Sequence, residues 1–259
     1  MLHRIYAVHY TLAFSMQRIL AIGGGGFLME EGVSPIDRYL LGLAKRDSPR
    51  VCFIPTPSGD LPEHLEKFYR AYSTTLCSPS DLSFFRKPAQ RSASLSGFED
   101  HLLSQDIIFV GGGNTKSALA VWREWSLDVV LRKALSSGVI LSGMSAGAMC
   151  WYEQGLTDSF WGPEYRPLTC LAFLPGGCGV HYSDDPKRRR TLHSAIEAST
   201  IKPAIAIDDY AAVLYTDGRV DRVLAWRAGA TAYHVTLDNG RAKEIAYASE
   251  HIATEKANS

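Results

Sequence analysis

The sequence has no excess of either charge: 27 Lys and Arg offset 27 Asp and Glu across 259 residues. That balance implies no long-range attraction to nucleic acid or to an acidic membrane surface. No apolar run is long enough to cross a bilayer. Cysteine is scarce, and Cys52, Cys77, Cys150, Cys170 and Cys178 have neither metal-ligand spacing nor an even count. They read as reduced, mostly buried thiols of a cytoplasmic protein rather than a disulfide framework. There is no internal repeat, and no stretch rich enough in Pro, Gly or Ser to divide the chain. With 46% hydrophobic and 21% charged residues, the composition is that of one large domain with a full core.

Residues 1–15 hold His3 and Arg4, then an apolar run from Ile5 to Phe14. One firm positive charge, a run broken by His9 and Thr11, and no small-residue cleavage site make a poor signal peptide. The pattern favours an extension ahead of a start at Met16, because Gln17 to Ile22 begins a strand at once. The expected organisation is an extension over residues 1–16, a single α/β domain over 17–250 and a polar tail over 251–259.

Short apolar runs recur at Arg18–Ile22, Val51–Ile54, Leu82–Phe85, Asp106–Val110 and Val139–Ser142. Between them lie segments of helical periodicity at Pro35–Lys45, Pro62–Tyr72, Ser94–Leu103 and Thr115–Leu135. Strands alternating with helices predict a mostly parallel sheet sandwiched by helices. Ligands of such sheets bind at the carboxyl ends of the strands, where Gly23–Gly26, Gly111–Gly113 and Gly143 fall. The last third changes character. Ala204–Ile207, Ala211–Tyr215, Val223–Trp226 and Ala232–Leu237 read as strands, with turns at Thr216-Asp217-Gly218-Arg219 and Asp238-Asn239-Gly240. They predict a C-terminal antiparallel section of the same domain, with a frayed polar tail from Ser249.

Gly143-Met144-Ser145-Ala146-Gly147 stands between a buried-type strand and an apolar helical start, the context a Gly-X-Ser-X-Gly nucleophile elbow requires. The turn forces unusual backbone angles on the serine, so its neighbours must be small. The hydroxyl then stands clear of the sheet at a helix N-terminus, where the Ala146 N–H is a candidate oxyanion donor. Gly111-Gly112-Gly113-Asn114-Thr115 follows another strand. Gly112 or Gly113 could supply a second donor, and Thr115 reads as the helix cap. Gly23–Gly26 fits neither the dinucleotide fingerprint, whose third glycine would fall on Leu28 or Met29, nor a phosphate loop, since no Lys-Ser or Lys-Thr follows. It reads as a permissive loop lining the edge of the site.

A serine nucleophile needs a base. Among eight histidines, His3 and His9 fall in the extension, His64, His101 and His193 in helical patterns, His234 in a late strand and His251 in the tail. His181 lies in a glycine-rich loop, Leu174 to Tyr182, ahead of a helix over Asp185–Glu197, and is the best placed. Three acids could orient it: Asp158, Asp208 and Asp209. The last two are adjacent at a strand end, so at most one faces the site.

The ordered set Phe109 to Thr115, Gly143 to Ala148, Pro175-Gly176 through His181-Tyr182, and Ile207-Asp208-Asp209 resembles peptidase E and its relatives in family S51. These are serine peptidases that include aspartyl dipeptidases and, more distantly, cyanophycinase. The resemblance runs from about Arg18 to about Gly218. It implies a class I glutamine amidotransferase-like (flavodoxin-like) fold with Ser in place of that family's Cys. It also implies Ser145 as nucleophile, His181 as base, and oxyanion N–H groups from Gly113 and Ala146. The third member would be Asp158 or, in the late Ile-Asp-acid stretch where the family often has Glu, Asp209. Asn114 and a basic residue among Arg188, Arg189 and Arg190, with Arg189 the candidate, would bind substrate.

The implied activity is serine-type hydrolysis of short peptides, needing no metal or organic cofactor, by a monomer or homodimer with no nucleic-acid or membrane partner. Other readings are a different amide or ester hydrolase, including cleavage of an Asp-Arg polymer, and a catalytically silent binding protein that keeps the elbow as a relic.

Overall fold

The computed structural model describes residues 15–160 and 162–253. The expected extension up to residue 14 and the tail from residue 254 lie outside that range. The first five strands are β1 (Arg18–Ile22), β2 (Arg50–Ile54), β3 (Ser78–Asp81), β4 (Ile107–Val110) and β5 (Ile140–Met144). They run parallel in the order β1-β5-β4-β2-β3. Then come β6 (Tyr152–Thr157), β7 (Arg166–Thr169), β8 (Leu174–Val180) and β9 (Ala204–Ile207). The last are β10 (Ala211–Thr216), β11 (Arg219–Ala225), β12 (Ala232–Asp238), β13 (Arg241–Ala246) and β14 (Ser249–His251). β10 lies antiparallel beside β1 and carries β11 and β14, which extends the parallel block into an eight-stranded sheet. The second sheet has six strands in the order β13-β12-β9-β8-β6-β7.

The helices are α1 (Pro35–Leu43), α2 (Pro62–Ala71), α3 (Phe98–Leu103), α4 (Thr115–Glu124), α5 (Leu127–Ser136), α6 (Ala146–Met149) and α7 (Pro186–Glu197). Strand alternation sorts the core into layers. Leu20, Ile22, Phe53 and Phe109 face Ile36 of α1 and Phe68 of α2. Ile19, Ala21, Ile54 and Val110 face the opposite way, toward Trp122 of α4, Leu131 of α5 and the residues Val180, Ile205 and Ile207 of the second sheet. The outer face of that sheet, at Ala204 and Ala206, packs on Leu192 and Ile196 of α7. Buried Tyr152 and Tyr215 join the two sheets through their hydroxyls at 2.8 Å.

The parallel block, its crossover helices and the presence of helices on both faces follow the sequence reading, but helices are not the whole cover. One face of the large sheet is covered partly by a second sheet. Residues 174–180, read as a loop, form β8, in which glycine is a packing residue: a Cβ on Gly177 would stand 3.0 Å from Ile201 and one on Gly179 3.2 Å from Leu192. Leu82–Phe85 is not a strand. β3 lies just ahead of it, and as the edge of the sheet it tolerates Pro79. The run Thr115–Leu135 splits into two helices at Ser126, which takes φ 55°. Polar β13 escaped the reading because it is a mostly exposed edge strand, and Ser249–His251 pairs with β11 instead of fraying.

Ser34 caps α1, and its own N–H and hydroxyl donate to the Asp37 carboxyl. Tyr72 donates to the same carboxyl at 3.0 Å. Burial nevertheless wins over these bonds and raises the Asp37 pKa to about 6. The folded protein therefore holds a proton on Asp37 that the unfolded chain has already released between about pH 4 and pH 6. Chemical denaturation at several pH values should show wild type gaining stability relative to Asp37→Asn as pH falls through this window. A difference independent of pH would contradict the assignment.

Candidate active site

The chain reverses between β5 and α6 at a single residue. Ser145 takes φ 57° and ψ −112°, a region L-residues enter only under constraint. Packing explains the flanking glycines. A Cβ on Gly143 would lie 2.4 Å from the Gly147 carbonyl oxygen, and one on Gly147 only 2.1 Å from that of Val110. The Ser145 N–H donates to Ile22 O at 3.1 Å, tying the elbow to the end of β1. Its carbonyl accepts from the N–H groups of Ala148 and Met149, which starts α6.

His181 follows β8 and Asp209 follows β9, its parallel neighbour. The His181 Nε2 lies 2.9 Å from Ser145 Oγ, and Nδ1 lies 2.5 Å from Asp209 Oδ1. A carboxylate can only accept, so Nδ1 carries a proton, and in the neutral ring Nε2 is then left as acceptor for the serine hydroxyl. The His181 side chain is 23% exposed and that of Asp209 15%, so the pair is sheltered while the ring stays reachable. His181 and Tyr210 both adopt positive φ, at 51° and 62°. Tyr210 donates its N–H to Gly24 O at 2.8 Å. A Cβ on Gly24 would stand 2.0 Å from Asp209 Oδ1 and 2.8 Å from His181 Nδ1. The loop read as lining the site therefore touches the His–Asp pair, and Gly24 is its point of contact.

Gly112 and Gly113 lie at the end of β4. A Cβ on Gly112 would be 3.5 Å from Ser145 Cβ, so that residue flanks Ser145 directly. Gly113 has φ 138°, and a Cβ there would meet Pro57 O at 2.1 Å. Among the described residues, the N–H groups of Gly112, Gly113 and Ala146 have no hydrogen-bond acceptor, whereas those of Gly111 and Asn114 are spent on Ile54 O and Pro57 O. Unspent amides from two strand ends beside one hydroxyl are what stabilisation of a developing oxyanion requires. Cys150 is no rival nucleophile: burial pushes its thiol pKa well up.

Several candidates have other work. Asp158 is not the partner of His181, because both ring nitrogens are already engaged; its carboxylate is 62% exposed and 3.9 Å from Arg188. Asp208 points away from the ring, as adjacent residues at a strand end must. It accepts from Thr231 N at 3.2 Å, and burial raises its pKa against bonds from Ser183 and Thr231. Asn114, not Thr115, caps α4, with Oδ1 accepting from Ser117 N at 2.8 Å and Nδ2 donating to Ser159 O at 3.3 Å. Each end of its amide makes one bond, so a substrate could reach only its second N–H and second lone pair, on an exposed residue.

Arg189 is also committed. It forms a two-point ion pair with Glu244, which also receives the Tyr182 hydroxyl and His193. Burial opposes ionisation of Glu244, but these donors prevail and hold its pKa low. Arg188 is buried, donates to Val180 O at 2.8 Å and stacks on Tyr165, while Arg190 is exposed. Of the other histidines, His64 and His101 stay at helix edges, the latter 3.0 Å from Ser80 Oγ. His3 and His9 fall outside the described residues.

Gly24→Ala should separate Asp209 from His181 while leaving the sheets intact. The expected outcome is wild-type thermal unfolding with much slower covalent labelling of Ser145 by a fluorophosphonate. Equal labelling rates would contradict the packing argument.

The sequence profile described as Peptidase family S51 matches residues 19–223. The chain is 41% identical over 230 residues to the uncharacterized peptidase YgaJ of Bacillus subtilis (strain 168), covering 89% of this chain and 96% of the relative. The fold is similar to that of a crystal structure of a peptidase from an acI-B1 Actinobacterium, with a TM-score of 0.68 at 14% identity, covering 91% of this chain and 96% of the other. It is also similar to a Listeria monocytogenes EGD-e structure named for peptidase E, with a TM-score of 0.58 at 16% identity, covering 83% of this chain and 100% of the other. With its sequence matched from β1 into β11 and a relative 41% identical over most of its length, the chain belongs to Peptidase family S51.

Proposed function

We propose that the protein is a serine-type peptidase acting on short peptides through Ser145, His181 and Asp209. The observation that carries this reading is the unbroken line from Asp209 through both nitrogens of His181 to Ser145 Oγ. Ser145 attacks the scissile carbonyl while Nε2 of His181 takes its proton. Asp209 holds the ring in the required tautomer and balances the imidazolium that forms. The carbonyl oxygen becomes an oxyanion facing the N–H groups of Ala146 and of Gly113 or Gly112, each such donor typically being worth about 10²- to 10³-fold in rate. His181 then protonates the leaving amine, and a water it activates releases the acyl group.

The short-peptide assignment rests on family membership. No acidic preference is assigned to Arg189, since its guanidinium is spent on Glu244. The elbow at the end of a central parallel strand, with Ser where a cysteine would stand, supports a class I glutamine amidotransferase-like ancestry. Five free, buried cysteines suit a reducing, cytoplasmic setting. Among the described residues no helix is long and apolar enough to cross a membrane.

The test is turnover of a dipeptide panel including Asp-Leu and Ala-Leu, with polymeric Asp-Arg alongside. Ser145→Ala and His181→Ala should each lower kcat by about 10⁴-fold or more, and Asp209→Asn by about 10⁴-fold. Asp158→Ala should stay near wild type. Activity surviving Ser145→Ala, or no fluorophosphonate labelling of the folded wild type, would overturn the reading. Cleavage of the polymer alone would replace the short-peptide substrate.

A further inference from the structure

We propose that Ser159 is a positioning residue for the oxyanion donors, a role that rests on the hydrolytic reading above and extends it beyond the residues that touch substrate. The loop 111–114 has two anchors. On one side, Pro57 O accepts the Asn114 N–H at 2.7 Å and leaves no room for a side chain on Gly113. On the other side stands Ser159, on the connection between β6 and β7 of the second sheet. Its Oγ accepts the Thr115 N–H at 2.9 Å, and its carbonyl accepts from Asn114 Nδ2 at 3.3 Å.

A helix normally leaves its first N–H groups without partners. Here the first N–H of α4 is claimed by a side chain from another sheet. Asn114 therefore caps its own helix with one end of its amide and holds Ser159 with the other.

Ser159 is itself fixed. Its Oγ lies 2.7 Å from Thr157 Oγ1, and its N–H donates to that atom at 3.1 Å. Thr157 is 2% exposed, so the acceptor for Thr115 is locked by a buried neighbour. Thr115 is equally buried, at 1% exposure, and its hydroxyl faces the sulfur of Met149 on the elbow helix. The clamp thus closes a circuit from the second sheet, through the start of α4, to the helix that follows Ser145. Between its ends lie Gly112 and Gly113, whose N–H directions the two anchors decide.

A donor aimed at the position of an oxyanion contributes more to the transition state than to the bound substrate. Loosening the clamp therefore lowers kcat and leaves KM nearly unchanged. A residue that merely stabilises the fold would change neither in this pattern.

The experiment compares full-length wild type with Ser159→Ala, Ser159→Thr and Thr157→Val. It measures kcat, KM, thermal unfolding, and affinity for two ligands: a peptide boronate, which forms a tetrahedral adduct on Ser145, and the non-covalent product peptide. For Ser159→Ala, kcat and boronate affinity should fall together by about tenfold, less than the loss of a whole donor, with KM and product affinity little changed. Ser159→Thr, which keeps the acceptor oxygen, should restore most of both. Thr157→Val should show the same pattern at smaller size, and it stands in for Ser159→Ala if that variant does not fold.

Unchanged kcat in both Ser159→Ala and Thr157→Val overturns the proposal, as does a kcat loss without loss of boronate affinity, or a threonine variant no better than alanine. In those cases an active wild type leaves the hydrolase reading standing. A wild type that neither turns over substrate nor labels with fluorophosphonate ends both.

Discussion

The structure depends on a serine held where serine would not rest by itself. At φ 57° and ψ −112°, Ser145 occupies backbone space that costs about 1–3 kcal/mol. The surroundings hold it there from three directions. Its N–H bonds to the end of β1, its carbonyl starts α6, and Gly143 and Gly147 let the turn press against the backbone of Val110 and Gly111. The hydroxyl is thereby raised above the sheet edge at the foot of a helix. Everything else at the site is arranged around that fixed oxygen.

The arrangement divides the work between the two sheets. The large sheet brings the serine from β5 and the candidate donor amides from the end of β4 and the start of α6. The small sheet brings the imidazole from β8 and the carboxylate from β9. Parallel pairing of β8 with β9, through Val180 and Ile207, places His181 beside Asp209. Gly24, in the loop after β1, then joins the halves: it bridges to Asp209 and accepts from Tyr210. A side chain on Gly24 would stand inside the His–Asp contact, so the meeting of the sheets and the alignment of the ring are one packing event.

Neighbouring residues with similar credentials have separate duties for geometric reasons. Asp208 and Asp209 point to opposite sides of one strand end, so one reaches His181 and the other holds the Thr231 backbone. Asp158 and Ser159 differ likewise: the carboxylate remains in solvent near Arg188 while the hydroxyl turns in to the α4 terminus. Arg189 binds Glu244 and Arg188 binds the carbonyl just ahead of His181. A cluster that reads as one basic face is two inward ties and one exposed cation.

Local rules made much of this legible. The elbow motif, the glycine turn after β4 and the alternation of apolar runs with helical segments each depend on residues close in the chain, and those marked Ser145, Gly112, Gly113 and Ala146. His181 stood out by elimination. Of the second sheet only β9 and β12 were legible, because β8 is rich in glycine and β13 is polar and exposed, so neither of those carries the apolar alternation of a strand.

The sequence by itself determined where the chain must turn sharply and which small residues permit it, since steric limits on φ and ψ act within a few bonds. Only the tertiary structure decided which acid faces the imidazole, which arginine is spent, and that Asn114 and Ser159 meet. Those contacts join strand ends from two sheets, where direction and distance follow from pairing register and packing rather than from spacing along the chain.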